Sequence, residues 1–376
     1  MARKGVAACR HGVAAGTAHD PPETTLPMAA PPPDTRRIAF LVHLAEMVNH
    51  YRDVWQQLDR DDVIVIPAGD PEQRSQTSAL AQAAGLACVS MEDALASGRR
   101  YPVLVSNHPL DPSGPVPLIR RLGVRNARFN YALGKSGWNL RPWNALYDLI
   151  LCFGPYHVQA YAAFAARKVQ IGYPRFDRYF NETIDRRALV RALGGDPDIP
   201  SIVWLPTWKE LSSVGVYDAV ISDLTRKFNV FVKLHPLMVT EEPERVARLR
   251  AHPYTTLITD SYDNLNLFRV ADLMLCDYGG SPFGAIYVGL PFLLLDVAGA
   301  AEDALTGQDS PDITLRRYLP SVQRPQDLLA ALEDPRVWDV ASAAHRQLRD
   351  FYFAPLQGRS ARAAADAILE LASAAS

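Results

Sequence analysis

The sequence predicts an α/β protein made of two successive parallel-sheet units closed by helices. Three observations carry this. Short β-rich runs recur, most of them bounded by Gly, Pro or Asn. Helical patterns separate them, which implies right-handed βαβ crossovers and a parallel sheet. The alternation pauses once, in a charged stretch from Arg175 to Pro200, and then restarts.

In the first unit the strands are Ile38–Val42, Val63–Ile66, Val103–Val105, Ala127–Phe129, Leu149–Phe153 and a closing segment Val169–Pro174, with an amphipathic helix over Glu46–Leu58. The pause holds Gly194-Gly195-Asp196-Pro197 and one short helix near Arg186–Leu193, and reads as the interdomain connection. In the second unit the strands are Ser201–Leu205, Val230–Leu234, Thr256–Thr259, Leu273–Cys276 and Phe292–Leu295. Helices are expected over Tyr217–Lys227, Glu241–Arg250 and Pro282–Val288, and at the end over Pro325–Leu332, Pro335–Phe351 and Ser360–Ala374. The N-terminal stretch stands apart. It has no acid before Asp20, its apolar run is interrupted by Arg10-His11, and Pro21, Pro22, Pro27 and Pro31-Pro32-Pro33 follow. It therefore lacks the apolar core of a signal peptide and is expected to be a disordered Pro/Ala-rich tail over residues 1–36, with Met28 available as an alternative start.

With 376 residues there is room for two domains of ordinary size. A 48% apolar, 21% charged composition is that of a globular protein. The 39 basic and 41 acidic side chains leave a net charge of −2, which argues against nucleic acid or an anionic bilayer as a partner through bulk charge. The arginines of Arg120-Arg121-Leu122-Gly123-Val124-Arg125 form one short basic stretch, read as a solvated helix end in preference to a membrane contact. The longest apolar runs have strand length, well short of the roughly 20 residues of a membrane span. Cys9, Cys88, Cys152 and Cys276 form no CxxC pair and read as reduced thiols in a cytosolic protein. No spacing suited to metal ligands is present, so no metal and no cofactor are expected.

In such sheets ligands bind beyond the carboxyl ends of the strands, so functional residues are expected at those ends. Leu205-Pro206-Thr207-Trp208-Lys209 offers a hydroxyl, a stacking ring and a cation. Taken alone, the segment reads in preference as a proline-containing turn with a packing tryptophan. Val232-Lys233-Leu234-His235-Pro236 places Lys233 and His235 two residues apart, on one side of a strand end, as a donor pair for a phosphate. Asp277-Tyr278-Gly279-Gly280-Ser281-Pro282 feeds a helix start, where free N–H groups and small residues suit an anion and Ser281 is placed to cap.

Taken together and in order, these motifs resemble the C-terminal half of the CDP-glycerol glycerophosphotransferase family, which builds teichoic-acid and related capsule polymers. The matching residues are Pro206-Thr207-Trp208, Lys233-Leu234-His235-Pro236, Asp263-Asn264, Ala271-Asp272 and Asp277-Tyr278. The segments Ile171–Asp177 and Gly358–Arg362 add to them. The resemblance implies a GT-B-like fold: two Rossmann-type doubly wound parallel-sheet domains facing a cleft, with C-terminal helices. It divides the chain into an acceptor domain over 37–180, a nucleotide-donor domain over 181–345, and helices over 346–376 packing back across both.

The implied reaction moves a glycerol phosphate or related alditol phosphate from a CDP-activated donor to a polysaccharide or lipid-linked acceptor. The implied setting is the cytoplasm, with a peripheral contact at the inner membrane surface. The donor site implied comprises Thr207, Lys209, Lys233, His235, Asp277, Gly279, Gly280 and Ser281, with His235 also catalytic. Family members carry a histidine in a Trp-His-Gly-Thr-Pro-Leu-Lys segment of the first domain. Here the corresponding stretch is Phe129–Lys135, which has Lys135 but no histidine. Tyr131 and Lys135 are the acceptor-side candidates, and His43 and His108, both at strand ends, are candidate bases. Two other readings stand beside this one: a UDP-sugar glycosyltransferase or epimerase, and a catalytically silent nucleotide-binding member of the family.

Overall fold

The computed structural model describes residues 36–113 and 115–374. Apart from Arg36, the expected N-terminal tail lies outside them.

Two all-parallel sheets form the frame. The first has the order β3-β2-β1-β4-β5-β6-β7, built from β1 Ile38–Val42, β2 Val63–Pro67, β3 Ala87–Cys88, β4 Tyr101–Ser106, β5 Gly123–Phe129, β6 Leu149–Cys152 and β7 Arg167–Gln170. The second has the order β10-β9-β8-β11-β12-β13, built from β8 Ser201–Leu205, β9 Asn229–Lys233, β10 Thr256–Ile258, β11 Leu273–Cys276, β12 Phe292–Leu295 and β13 Ser321–Val322. Chain order reverses beside β1 and beside β8, so each sheet has a switch point there, where ligand crevices form.

Strand residues alternate between two buried faces, as a sheet covered by helices on both sides requires. Ile38, Phe40 and Val42 of β1 enter one core, and Ala39 and Leu41 enter another. In β8, Val203 and Leu205 face one core while Ile202 and Trp204 face the other. This two-sided burial is why the strands read as continuous apolar runs.

Several expected elements are shorter or divided. The closing strand of the first unit ends at Gln170 and gives way to a 3-10 turn at Pro174–Phe176, because Gly172 takes φ +68 and Pro174 cannot donate to a ladder. The charged helix near Glu241 is two helices, Pro236–Glu241 and Pro243–Arg250, interrupted at Pro243. The expected helix over Pro335–Phe351 is also two, Pro335–Trp338 and Ala343–Tyr352, the second starting at a Ser342 cap. Arg120 and Arg125 of the short basic stretch both pair with Asp148, at 3.1 and 3.2 Å.

The last helix, Ser360–Ser373, returns to the first sheet. Ala361, Ala364, Ala365, Ile368 and Ala372, spaced at three and four residues, enter the core shared with β1 and β5. Its start is tied to the segment leaving the first sheet: Asp177 accepts from the N–H groups of Ser360 and Ala361, and the Tyr173 N–H donates to Ser360 Oγ at 3.1 Å. A Cβ added at Gly172 would lie 2.3 Å from Ser360 Oγ. Gly172→Ala therefore combines a left-handed backbone, costing about 1–3 kcal/mol, with a clash at this knot. The expected outcome is a lowered urea midpoint, and an unchanged midpoint would show that the knot contributes little.

Candidate functional site

A cavity of about 460 Å³ lies where the carboxyl ends of the two sheets meet. The first domain contributes to it from the ends of β1, β4 and β5, and the second from the ends of β8, β9 and β11.

On the second-domain wall stand Thr207, Trp208, Lys233, His235, Gly279, Gly280 and Ser281. Lys233 ends β9 and is buried, with its Nζ 3.6 Å from Glu46 Oε2 of the first domain. His235 sits just past the strand and caps the helix Pro236–Glu241, its Nδ1 accepting from the Leu237 N–H at 3.2 Å. A neutral ring held this way carries its proton on Nε2, a donor for a ligand in the cavity that it lines. Burial, together with the charges of Lys135 and Lys233, pushes its pKa well below the ordinary value. The Trp208 ring lies nearly parallel to it, centroids 5.8 Å apart.

Three sequence expectations on this wall change. Asp277 does not line the cavity. It is buried, and its carboxylate accepts from the Thr207 N–H and from both the N–H and Oγ of Ser213, at 2.8 to 3.0 Å, so it fixes the loop that presents Thr207. Lys209 also falls outside the lining. Its Nζ pairs with Glu241 at 2.9 Å and lies 4.3 Å from the centre of the Trp208 ring. Ser281 lines the cavity but does not cap: Gly280 is the N-cap residue, and Ser281 is the first residue of the helix. An added Cβ at Gly279 or Gly280 would meet only ordinary contacts beyond 3.5 Å, so both glycines leave space for a ligand without being required by the backbone.

On the first-domain wall, His43 and His108 meet edge to face with centroids 4.3 Å apart. Both line the cavity. Burial lowers their pKa values to about 4 and about 3, and His108 Nδ1 accepts from the Leu110 N–H. These are weak proton acceptors. Tyr131 is also in the lining, its phenol pushed upward by burial. Lys135 adopts φ +60, a conformation costly for a non-glycine residue. Asp312 of the second domain holds it there by accepting its N–H, and Lys135 Nζ donates to Thr207 Oγ1 at 3.0 Å across the cleft.

Some lining residues carried no functional signal in the sequence. Glu46 and His50 were absorbed into an amphipathic helix pattern, where a charged residue reads as solvated. Both line the cavity. So does Asn264, from the matched pair Asp263-Asn264, and so does Arg175, whose only signal was the matched segment Ile171–Asp177. Its Nη1 donates to His50 Nε2 at 2.8 Å, and its Nη2 lies 3.7 Å from Asp263. Behind the first-domain wall, Arg128 is buried without a carboxylate partner among the described residues. It donates to the carbonyls of Asn107 and Asn139 and to the side chains of Asn139, Asn144 and Tyr161, tying the His108 loop to the Lys135 loop. Among the described residues no cluster of His, Cys, Asp or Glu is arranged to hold a metal ion.

The family model described as CDP-Glycerol:Poly(glycerophosphate) glycerophosphotransferase matches residues 147–288. Among solved structures, the chain is similar to the wall teichoic acid polymerase TagF, with 14% identity over 90% of this chain and 89% of that one and a TM-score of 0.61. It is also similar to Anabaena Alr3699/HepE in complex with UDP-glucose, with 14% identity over 90% and 99% of the two chains and a TM-score of 0.55. A third is UDP-GlcNAc 2-epimerase from Neisseria meningitidis, with 11% identity over 89% and 98% and a TM-score of 0.51. No curated protein matches the sequence. The family resemblance read from the motifs is borne out over the matched stretch, and the GT-B-like fold over the chain. The likeness to the solved structures shows the fold, and the family match covers the stretch from 147 to 288.

Two predictions follow from this geometry. A diphosphate beside His235 raises the pKa of a ring that is neutral in the empty site, so binding takes up a proton and tightens as pH falls between the free and bound values. Calorimetry with CDP-glycerol in buffers of different ionisation enthalpy should show that uptake. His235→Ala should abolish it and weaken binding by roughly 10- to 100-fold, the size of one charge-assisted hydrogen bond. Binding that is independent of both pH and His235 contradicts the assignment. Asp277→Asn should lower stability in urea by about 1.5–3 kcal/mol. A stable variant that has lost nucleotide binding would instead make Asp277 a ligand contact.

Proposed function

We propose that the protein transfers a glycerol phosphate or related alditol phosphate from a CDP-activated donor to a hydroxyl of a growing cell-surface polymer. One observation carries the reading: Lys233, His235, Thr207 and the start of the Ser281–Val288 helix converge on one wall of a cavity whose opposite wall is the first domain. Cations, a hydroxyl and free helix N–H groups are what a diphosphate requires. The acceptor enters from the first-domain side, past His43, His108 and Tyr131.

In the reaction, the acceptor oxygen forms a bond to the phosphorus bearing the alditol. The bond from that phosphorus to the bridging oxygen breaks, and CMP departs. Lys233 and Thr207 hold the transferred phosphate, and His235 Nε2–H donates to the oxygen that gains charge on the leaving CMP. Lys135 reaches Thr207 from the acceptor domain and adds positive charge at the junction. TagF has been solved with CDPG, and that structure covers 90% of this chain at a TM-score of 0.57, which supports the same donor class.

A UDP-sugar donor is the second reading, favoured by the likeness to HepE bound to UDP-glucose. Titration of CDP-glycerol, CDP-ribitol and UDP-glucose, followed by assay of CMP release with a lipid-linked glycerol phosphate acceptor, separates the two. We expect CDP-alditol binding and CMP release. Saturable binding of UDP-glucose with none of CDP-glycerol would overturn the donor assignment.

A further inference from the structure

Transfer to a hydroxyl needs a group that takes its proton, and the first-domain histidines are poor candidates. His43 and His108 are held at about 4 and about 3 by burial. His50 offers no free lone pair, since its Nε2 accepts from Arg175 and its Nδ1 then bears the proton. Tyr131 keeps its proton because burial raises its pKa, and Lys135 is already a donor, to Thr207.

Glu46 differs from all of these. It sits in the 3-10 turn Ala45–Met47 just beyond β1, lines the cavity, and has a side chain only 14% exposed. Its turn is fixed by the Ala45 N–H donating to Gln73 Oε1 at 2.8 Å. Oε1 lies 4.0 Å from Arg175 Nη2. Oε2 lies 3.6 Å from Lys233 Nζ and accepts no hydrogen bond from any described residue. A buried carboxylate oxygen without a donor is uncommon in a folded protein. Glu46 is among the residues lining the cavity, beside the lysine assigned to phosphate.

We propose that Glu46 is the catalytic base, taking the proton of the attacking hydroxyl onto Oε2. The inference rests on the phosphotransfer reading above. In the step, the acceptor O–H gives its proton to Glu46 as its oxygen bonds to the phosphorus held by Lys233. The phosphorus–bridging oxygen bond breaks with its electron pair going to CMP, and the proton on Glu46 returns to solvent after product leaves. The ion pair with Lys233 sets the spacing, because base and phosphate oxygen address the same ammonium group and the acceptor oxygen fits between them.

The groups around Glu46 favour this role. Burial raises its pKa, and Asp263 raises it further, while Lys233, Arg175 and Asn49 lower it; the net direction is upward. A raised carboxylate is a stronger base than an ordinary one once it is ionised. The base must be deprotonated, so activity falls as pH drops through the Glu46 pKa.

The test compares wild type with Glu46→Gln, Glu46→Asp, His43→Ala and His108→Ala. CMP release is measured with CDP-glycerol and a lipid-linked glycerol phosphate acceptor, and donor affinity by calorimetry. Glu46→Gln should lower kcat by about 10²- to 10⁴-fold, with donor affinity unchanged or tighter because a negative charge beside the phosphate is gone. Glu46→Asp should retain part of the rate, and the acid limb of the kcat/KM profile should vanish from the residual activity of Glu46→Gln. Near-normal turnover of Glu46→Gln, or loss explained wholly by weaker donor binding, overturns the base assignment and leaves Glu46 as a partner of Lys233. Loss of rate and acid limb in His43→Ala or His108→Ala instead overturns it too. A wild type that releases no CMP overturns the phosphotransfer reading itself, and the base with it.

Discussion

The buried cations of the cavity depend on partners supplied from across the cleft. Lys233 of the second domain faces Glu46 of the first, and Lys135 of the first domain donates to Thr207 of the second. A buried ammonium without a partner carries a desolvation cost of several kcal/mol, so each charge needs an opposing group within reach. Neither pair is tight: one is an ion pair at 3.6 Å, and the other joins a charge to a neutral hydroxyl. Both leave the ammonium groups with donor capacity for an anion.

The surrounding fold keeps these groups in place. Asp277 spends its carboxylate on Thr207 and Ser213, and Trp204 donates to Ser213 Oγ from within the sheet core. Asp312 holds Lys135 in its left-handed conformation, and a Cβ at Gly134 would come within 2.7 Å of that carboxylate. Arg178 links Asp53 of the first domain to Asp263 of the second, both at 2.7 Å. Arg128 ties the loops behind His108 and Lys135 together. Few of these residues touch the cavity, yet they decide where its donors stand.

Much of this was legible in the sequence. Two-sided burial left continuous apolar runs, so strands such as Phe292–Leu295 could be placed closely from composition alone. Prolines and strand-end motifs located the second-domain wall, including Lys233, His235, Thr207 and Ser281. Other positions were less legible. The motifs read Asp277 and Lys209 as donor-site residues, with holding the loop a further reading for Asp277, but which way a strand-end side chain turns depends on tertiary partners, Ser213 for one and Glu241 for the other. Glu46 was hidden because a charged residue inside an amphipathic helix pattern looks solvated, and only the packing of one domain against the other makes it a cavity group. Helix breaks at Pro243 and Ser342 were visible as residues but not as boundaries.

The most direct test is an experimental structure of the protein with CDP-glycerol bound. The phosphate bearing glycerol is expected within hydrogen-bond reach, about 3 Å, of Lys233 Nζ, with the CMP side of the diphosphate against His235 Nε2. Glu46 should lie on the opposite side of that phosphorus from the departing oxygen, in line for an entering hydroxyl. A diphosphate seated away from Lys233 and His235, or Glu46 on the same side as the leaving group, would contradict this arrangement.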